Sequence, residues 1–379
     1  MKNPDTKQVH NKPALQPDLE ELPPVDTAKG MEENSRQKSL PVSRSNMPVD
    51  FSLDASPTST SSPVSIAGKN GLQHRITALD ALSSSDDRSD IPIYYISDLH
   101  LEIQLTPILH PGITYGEIDA FLGENIKSMV NGIRSGGSVL MIGGDVANSV
   151  ELTRMFYMQL SELWDGKIIA VLGNHELWDG HPELLPPSEY QRPLQEIIAD
   201  YLNKEPYLEQ GLCPPVILEN ALYIEYKNRA VRILSEDQIL AASDTDLADL
   251  CEKSFFLVLG GNGFTGHNPF FNADLGLYRN AVRTLSEDQA LSERFNRIYK
   301  KVLKCAETKR IIVLTHNPIE NWSEETYHPH WIYINGHTHQ NSFIQKNDGT
   351  TVFADNQLGY TPQPWRLFKF TLPGWCDPL

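Results

Sequence analysis

Two imidazoles stand on alternate residues in "INGHTH" (334–339): His337 and His339, behind Gly336 and after the apolar run Trp331-Ile332-Tyr333-Ile334. Alone, a His-x-His is an ordinary polar loop. The arrangement recurs, however. "DLHLE" (98–102) offers Asp98 and His100, again two apart. "GGDVANS" (143–149) offers Asp145, "GNHELWDG" (173–180) offers Asn174 and His175, and "THNP" (315–318) offers His316. Each follows a short apolar run. Residues two apart on an extended chain point the same way, so Asp98 with His100, and His337 with His339, are expected to face one point. The glycines just ahead permit tight turns and close backbone approach.

Imidazole nitrogens with carboxylate and amide oxygens form a borderline-hard donor set. It suits manganese, iron, zinc, cobalt or nickel better than calcium, which prefers oxygen alone. Seven such donors, Asp98, His100, Asp145, Asn174, His316, His337 and His339, exceed the needs of one ion. With one carboxylate bridging, they match two divalent ions about 3.5–4 Å apart, the arrangement used in phosphoester chemistry.

The elements that must position these residues follow from the apolar patterning. "IPIYYI" (91–96), "SVLMI" (138–142), "KIIAVL" (167–172), "RIIVL" (310–314) and "WIYI" (331–334) read as buried strands that deliver polar loops. Residues 118–134 and 150–164 carry helical spacing, so strands alternate with helices and an α/β core is expected. The interval 181–309 is long. It is expected to hold a helix at 194–204, a strand pair near 216–234, a strand at 255–260 and a helix over 286–306 capped by Ser286 with Gln289. "AVRILSEDQIL" (230–240) and "AVRTLSEDQAL" (281–291) nearly repeat, and a shared helix start explains them better than a shared function. "SFIQKNDGTTVFADN" (342–356) reads as a hairpin turning at Asp348-Gly349, and "WRLFKFTL" (365–372) as a further strand.

Residues 1–90 differ from the rest. They are rich in Ser and Pro, and Phe51 is their single Phe, Trp or Tyr. Such a segment buries too little apolar surface to offset its ordering entropy, so a disordered tail is expected, with a protein partner as one use for it. The net charge of -17 argues against a long nucleic acid as partner. No apolar run reaches membrane-spanning length, and "MKNPDTKQVHN" lacks a signal-peptide core, so no membrane association and a cytoplasmic location are expected. Cys213, Cys251, Cys305 and Cys376 are too scattered for a zinc ribbon or a disulfide framework.

"DLHLE", "GGDVANS", "GNHELWDG", "THNP" and "GHTH", in that order, resemble the five motifs of the calcineurin-like metallophosphoesterase superfamily, over roughly residues 93–356. The resemblance implies an α/β fold of four layers, two packed mixed β-sheets flanked by helices, here as a domain over 91–379 behind the tail. It implies that Asp98, His100, Asp145 and His339 hold one metal ion and that Asp145, Asn174, His316 and His337 hold a second. It implies hydrolysis of a phosphomonoester or phosphodiester in a small substrate by a metal-bridging hydroxide, with His175 as general acid and Glu176 or Asp98 as the carboxylates that could orient it. A metal-dependent binding or scaffold module without turnover is the alternative. "LGGNGFTGHNPFFNADLGLYRNA" (259–281) lies outside the shared motifs and is either a lid or a packed connection. His267 and Arg279 within it are candidate substrate contacts. His10, His74, His110, His328 and His330 read as surface residues, and His181 as one near the cleft.

Overall fold

In the computed structural model, which describes residues 91–178, 192–307 and 309–372, twelve strands form two sheets. In chain order they are β1 (Ile91–Ile96), β2 (Val139–Ile142), β3 (Lys167–Ala170), β4 (Val216–Ile217), β5 (Ala221–Tyr226), β6 (Val231–Leu234), β7 (Ser254–Gly261), β8 (Ile312–Thr315), β9 (Ile332–Ile334), β10 (Ser342–Gln345), β11 (Thr351–Ala354) and β12 (Phe368–Leu372). The first sheet has the order β12-β1-β2-β3-β4 and the second β10-β11-β9-β8-β7-β5-β6. Within them β1, β2 and β3 are mutually parallel, as are β7, β8 and β9. The expected tail, His181 and Cys376 lie outside the described residues.

The layering follows from strands that are apolar on both faces. Ile93 and Tyr95 of β1 and Met141 of β2 meet Tyr223, Val258, Ile312 and Ile334 of the other sheet in one buried cluster. The alternate residues, Tyr94, Ile96, Leu140 and Ile142, face helices Tyr115–Val130 and Val150–Leu163 through Leu122, Ile126, Phe156 and Leu160. On the far side Leu257, Leu259 and Val313 pack against Phe295, Ile298, Tyr299 and Val302 of helix Leu285–Cys305. The result is the expected sequence of helix, sheet, sheet and helix. Among the described residues no helix is long and apolar enough to cross a membrane.

The strand pair expected near 216–234 is the β5–β6 hairpin of the second sheet, while β4 joins β3 in the first. Two local expectations need correction. Helix Leu285–Cys305 is capped by Thr284 with Glu287, not by Ser286 with Gln289. The near-repeated segments therefore start helices in different phase, because Ser235 with Gln238 caps the first. The cause is tertiary. Asp288 is fully buried and accepts hydrogen bonds from Thr265 N, Thr265 Oγ1 and Ala273 N, while its counterpart Asp237 is exposed.

Candidate metal centre

Beyond the ends of the central strands the backbone enters the left-handed region. Asp98 has φ 53°, His100 45°, Asp145 52°, His337 72° and His339 52°. Such values are uncommon for residues other than glycine, and each costs on the order of 1–3 kcal/mol that the surroundings must offset. The offset is visible in backbone pairing. Asp98 N donates to Gly144 O at 3.0 Å, His100 N to Asp145 O at 2.9 Å and Gly336 N to His316 O at 2.9 Å. The paired directions of Asp98 with His100, and of His337 with His339, thus come from left-handed turns and not from extended alternation.

Two glycines are required by close approach. A Cβ on Gly173 would stand 2.0 Å from Asp145 Oδ1, and one on Gly336 would stand 2.3 Å from Asp98 Oδ2. Each lets a neighbouring loop lie directly on a carboxylate.

The loops of both sheets converge. His339 Nε2 is 3.2 Å from Asp98 Oδ1 and 3.0 Å from His100 Nε2. His316 Nε2 and His337 Nδ1 lie 3.0 and 3.1 Å from the same oxygen, Asn174 Oδ1. Asp145 joins the two groups: its Oδ2 is 3.7 Å from His100 Nε2 and 3.4 Å from His316 Nε2. Asp98, His100, Asp145 and His339 bring one donor atom each to within 4.8 Å of one another. The set fits divalent cations on a further count. Asp98 Oδ2 is buried without a hydrogen-bond partner, a costly state for a carboxylate oxygen unless a cation meets it. His316 Nδ1 lies 2.9 Å from Gly143 O. Donation there leaves Nε2 directed at the cluster, as a backbone carbonyl commonly orients a metal-binding histidine through its other ring nitrogen.

Residues 91–341, which include all seven of these side chains, match the calcineurin-like phosphoesterase family.

The chain belongs to that family.

No curated protein matches the sequence. Among solved structures, a dimetal phosphatase from Danio rerio shares 11% identity over 70% of this chain and 86% of its own, with a TM-score of 0.32. The calcineurin-like phosphoesterase YfkN from Bacillus subtilis shares 9% over 75% and 91%, with a TM-score of 0.31. A protein of unknown function from Aquifex aeolicus shares 13% over 62% and 83%, with a TM-score of 0.26.

In this calcineurin-like phosphoesterase family member the electrostatics of the cluster are those of a cation site. Burial opposes charge on Asp98, yet the His339 hydrogen bond and the His316 charge hold its carboxyl below the usual value. Burial likewise opposes charge on Asp145, and His316 and His175 hold it well below. Burial would lower His316, but Asp145 and Asp98 override it and raise it to about 9. Loss of solvation and the His316 charge push His337 down to about 3. A proton on His316 thus neutralises carboxylates that a dication would neutralise instead, releasing that proton.

His175 occupies a separate niche beside the cluster. Its Nδ1 lies 2.8 Å from Glu102 Oε1 and its Nε2 3.0 Å from the Tyr360 hydroxyl. Its ring stacks on Trp178 with centroids 3.6 Å apart. The carboxylate against His175 is therefore Glu102, and neither Glu176 nor Asp98 takes that place. Glu176 turns inward and accepts from Asp145 N, Val146 N and Gly173 N at 3.0, 2.6 and 2.7 Å, bracing two motif loops. Burial and the Asp145 charge raise it to about 7 against those donors. Glu102 stays ionised: although burial opposes charge, hydrogen bonds from His100 and His175 hold it at about 2. Sequence reasoning had Glu102 in view within "DLHLE" without giving it a role. It missed Trp178 and Tyr360, and for Tyr360 no spacing signal exists.

The segment 259–281 is packed at its ends and exposed at its tip. Phe264 and Tyr278 are buried, whereas Phe270 and Phe271 are exposed. It touches the site directly: Leu277 O accepts from Trp178 Nε1 at 2.7 Å and from Asn174 Nδ2 at 3.4 Å. The Arg279 guanidinium lies 4.1 Å over the Trp178 ring. Trp178 therefore meets both His175 and Arg279. Arg279 is thereby at the site's rim, whereas His267 pairs through its side chain with Glu293, at 3.1 Å, on the long helix.

Proposed function

We propose that this protein is a two-metal phosphoesterase that hydrolyses phosphomonoester or phosphodiester bonds in a small phosphorylated substrate, with manganese as the first candidate metal. The reading is carried by one observation: Asp145 Oδ2 lies between His100 of one donor group and His316 of the other. Asp98, His100, Asp145 and His339 would hold the first ion, and Asp145, Asn174, His316 and His337 the second. When bound, such a pair acidifies water and neutralises phosphoryl oxygens.

The chain's own residues supply the rest. Left-handed turns and Gly173 fix the carboxylates before substrate arrives, so the donors need not reorganise during reaction. Glu102 accepts from His175 Nδ1 and orients the ring, so Nε2 is the nitrogen left to serve the chemistry. Protonated His175 is then the proton source for the leaving oxygen, a role that typically contributes about 10²–10⁴-fold. Trp178 covers one face of the imidazole and keeps water from it.

The test is to strip metal from the full chain and assay an aryl phosphate, an aryl phosphodiester and a cyclic nucleotide. Turnover should vanish on chelation and return with manganese. Active protein free of transition metal, or no hydrolysis with manganese, iron, zinc or cobalt, would overturn the reading.

A further inference from the structure

Tyr360 stands more than 180 residues from His175 in sequence, yet its hydroxyl lies 3.0 Å from His175 Nε2, the ring nitrogen that Glu102 does not hold. Its position is fixed by backbone. Leu358 N donates to Ser97 O at 3.1 Å and Gly359 N to Asp98 O at 2.9 Å, so this loop is tied to the first motif. The adjacent Gln357 accepts from His339 N at 2.7 Å. The Tyr360 ring rests on His100 and His339, with centroids 4.4 Å from each. The residue as a whole is 55% exposed. Tyr360 thus links the buried His175 imidazole to a half-exposed side chain that lies against two candidate metal ligands.

We propose that Tyr360 is a catalytic residue, a proton carrier that passes the His175 proton to the leaving group. The proposal rests on the phosphoesterase reading above, with His175 as the acid. Before the step, imidazolium His175 donates Nδ1–H to Glu102 and Nε2–H to the Tyr360 oxygen, which leaves the phenolic O–H free to point outward. As the bond from phosphorus to the leaving oxygen breaks, its electron pair stays on that oxygen. The leaving oxygen takes the phenolic proton, and the Tyr360 oxygen takes the Nε2 proton. His175 ends neutral, still donating Nδ1–H to Glu102 and now accepting the Tyr360 O–H at Nε2. The water that attacks phosphorus gives up the proton that recharges His175 through solvent. One water is consumed, and one alcohol and one phosphate are formed. Both ends of the step satisfy every hydrogen bond in the Glu102–His175–Tyr360 chain, so a turn of the hydroxyl is the only rearrangement required.

Tyr360→Phe removes the hydroxyl and keeps the ring on His100 and His339. The experiment compares it with wild type, His175→Ala and the double variant, using the manganese-loaded full chain and measuring metal content on each sample. Rates are taken for a nitrophenyl phosphate, a phenyl phosphate and an alkyl phosphate. Tyr360→Phe should lose roughly 10²–10⁴-fold on the alkyl ester, the range of a general acid, and least on the nitrophenyl ester, whose leaving oxygen needs little protonation. His175→Ala should show the same trend, and the double variant should be no slower than the slower single variant, because the two act as a unit. The ¹⁵N resonance of His175 Nε2 in the metal-free protein should shift on Tyr360→Phe as its partner is lost. Unchanged or faster rates, an equal loss on all three esters, or an unshifted resonance would each overturn the proposal while leaving the phosphoesterase reading intact. If the wild type hydrolyses none of these monoesters, the same comparison is run on the matching phosphodiesters, and both readings fall together when those are untouched as well.

Discussion

Glu102 Oε1 lies 2.8 Å from His175 Nδ1 and 3.4 Å from His100 Nδ1, so one carboxylate oxygen faces an imidazole of the candidate metal cluster and the candidate acid together. The geometry ties the orientation of the acid to the metal loop that carries His100. Glu102→Gln keeps the shape and loses the charge. Turnover should fall about 10–100-fold, the usual cost of losing an orienting carboxylate, with metal occupancy at saturation preserved. Steady-state rates with metal analysis on the same samples check it. Wild-type turnover in Glu102→Gln would show that His175 needs no such partner.

Asp145 Oδ2 faces histidines of both donor groups, whereas His100 belongs to one. Asp145→Asn should therefore deplete both ions and His100→Ala mainly one. The amide oxygen of the Asn variant can still accept from His175 N, as Oδ1 does at 2.8 Å, so local folding should survive. Metal-to-protein ratios after dialysis measure the difference. Equal, mild depletion in both variants would argue against a shared carboxylate.

Gly173 has room for no side chain, since an added Cβ would stand 2.5 Å from Asp145 N as well as against its carboxylate. Gly173→Ala should displace Asp145 and weaken metal binding by roughly 10–100-fold. Overpacking of this kind also destabilises by about 1–3 kcal/mol. Calorimetric metal titration beside thermal melts separates the two effects. Unaltered affinity would mean that the loop moves without taking Asp145 with it.

Away from the centre, Glu236 accepts from Arg294 Nε and Nη2 at 3.1 and 2.8 Å and from Asn220 at 3.0 Å. Burial opposes its charge, but Arg294 and Asn220 hold its carboxyl below the usual value. A lowered folded pKa gives stability that is complete above the ordinary carboxyl range, near about 4.3, and is lost as the pH falls through the folded value. Glu236→Gln should cost about 1–2 kcal/mol at neutral pH, allowing for the partly exposed Arg294. The deficit should shrink as the pH falls below about 4. Thermal melts of both proteins from pH 3 to 7 test it, and a deficit that is constant across that range would rule out the charged pair as its source.

The order of strands and helices and the polar residues at the strand ends were legible in the sequence because both are local. A strand followed by a turn carries its donor at fixed spacing, and helical periodicity shows over a dozen residues. The candidate ligands Asp98, His100, Asp145, Asn174, His316, His337 and His339 could be named for that reason. What decided the rest was contact between segments far apart in the chain. Glu102 and Glu176 are both carboxylates near histidines in sequence, but the pairing of the first two motif loops sends Glu102 to His175 and turns Glu176 onto backbone N–H groups. The two near-identical helix starts take different caps because only Asp288 meets buried donors from Thr265 and Ala273. Tyr360 reaches His175 because its loop pairs with Ser97 and Asp98 across the fold. Side-chain spacing along the chain carries no trace of such a contact, since the hydrogen bonds that create it form only once the sheets have packed.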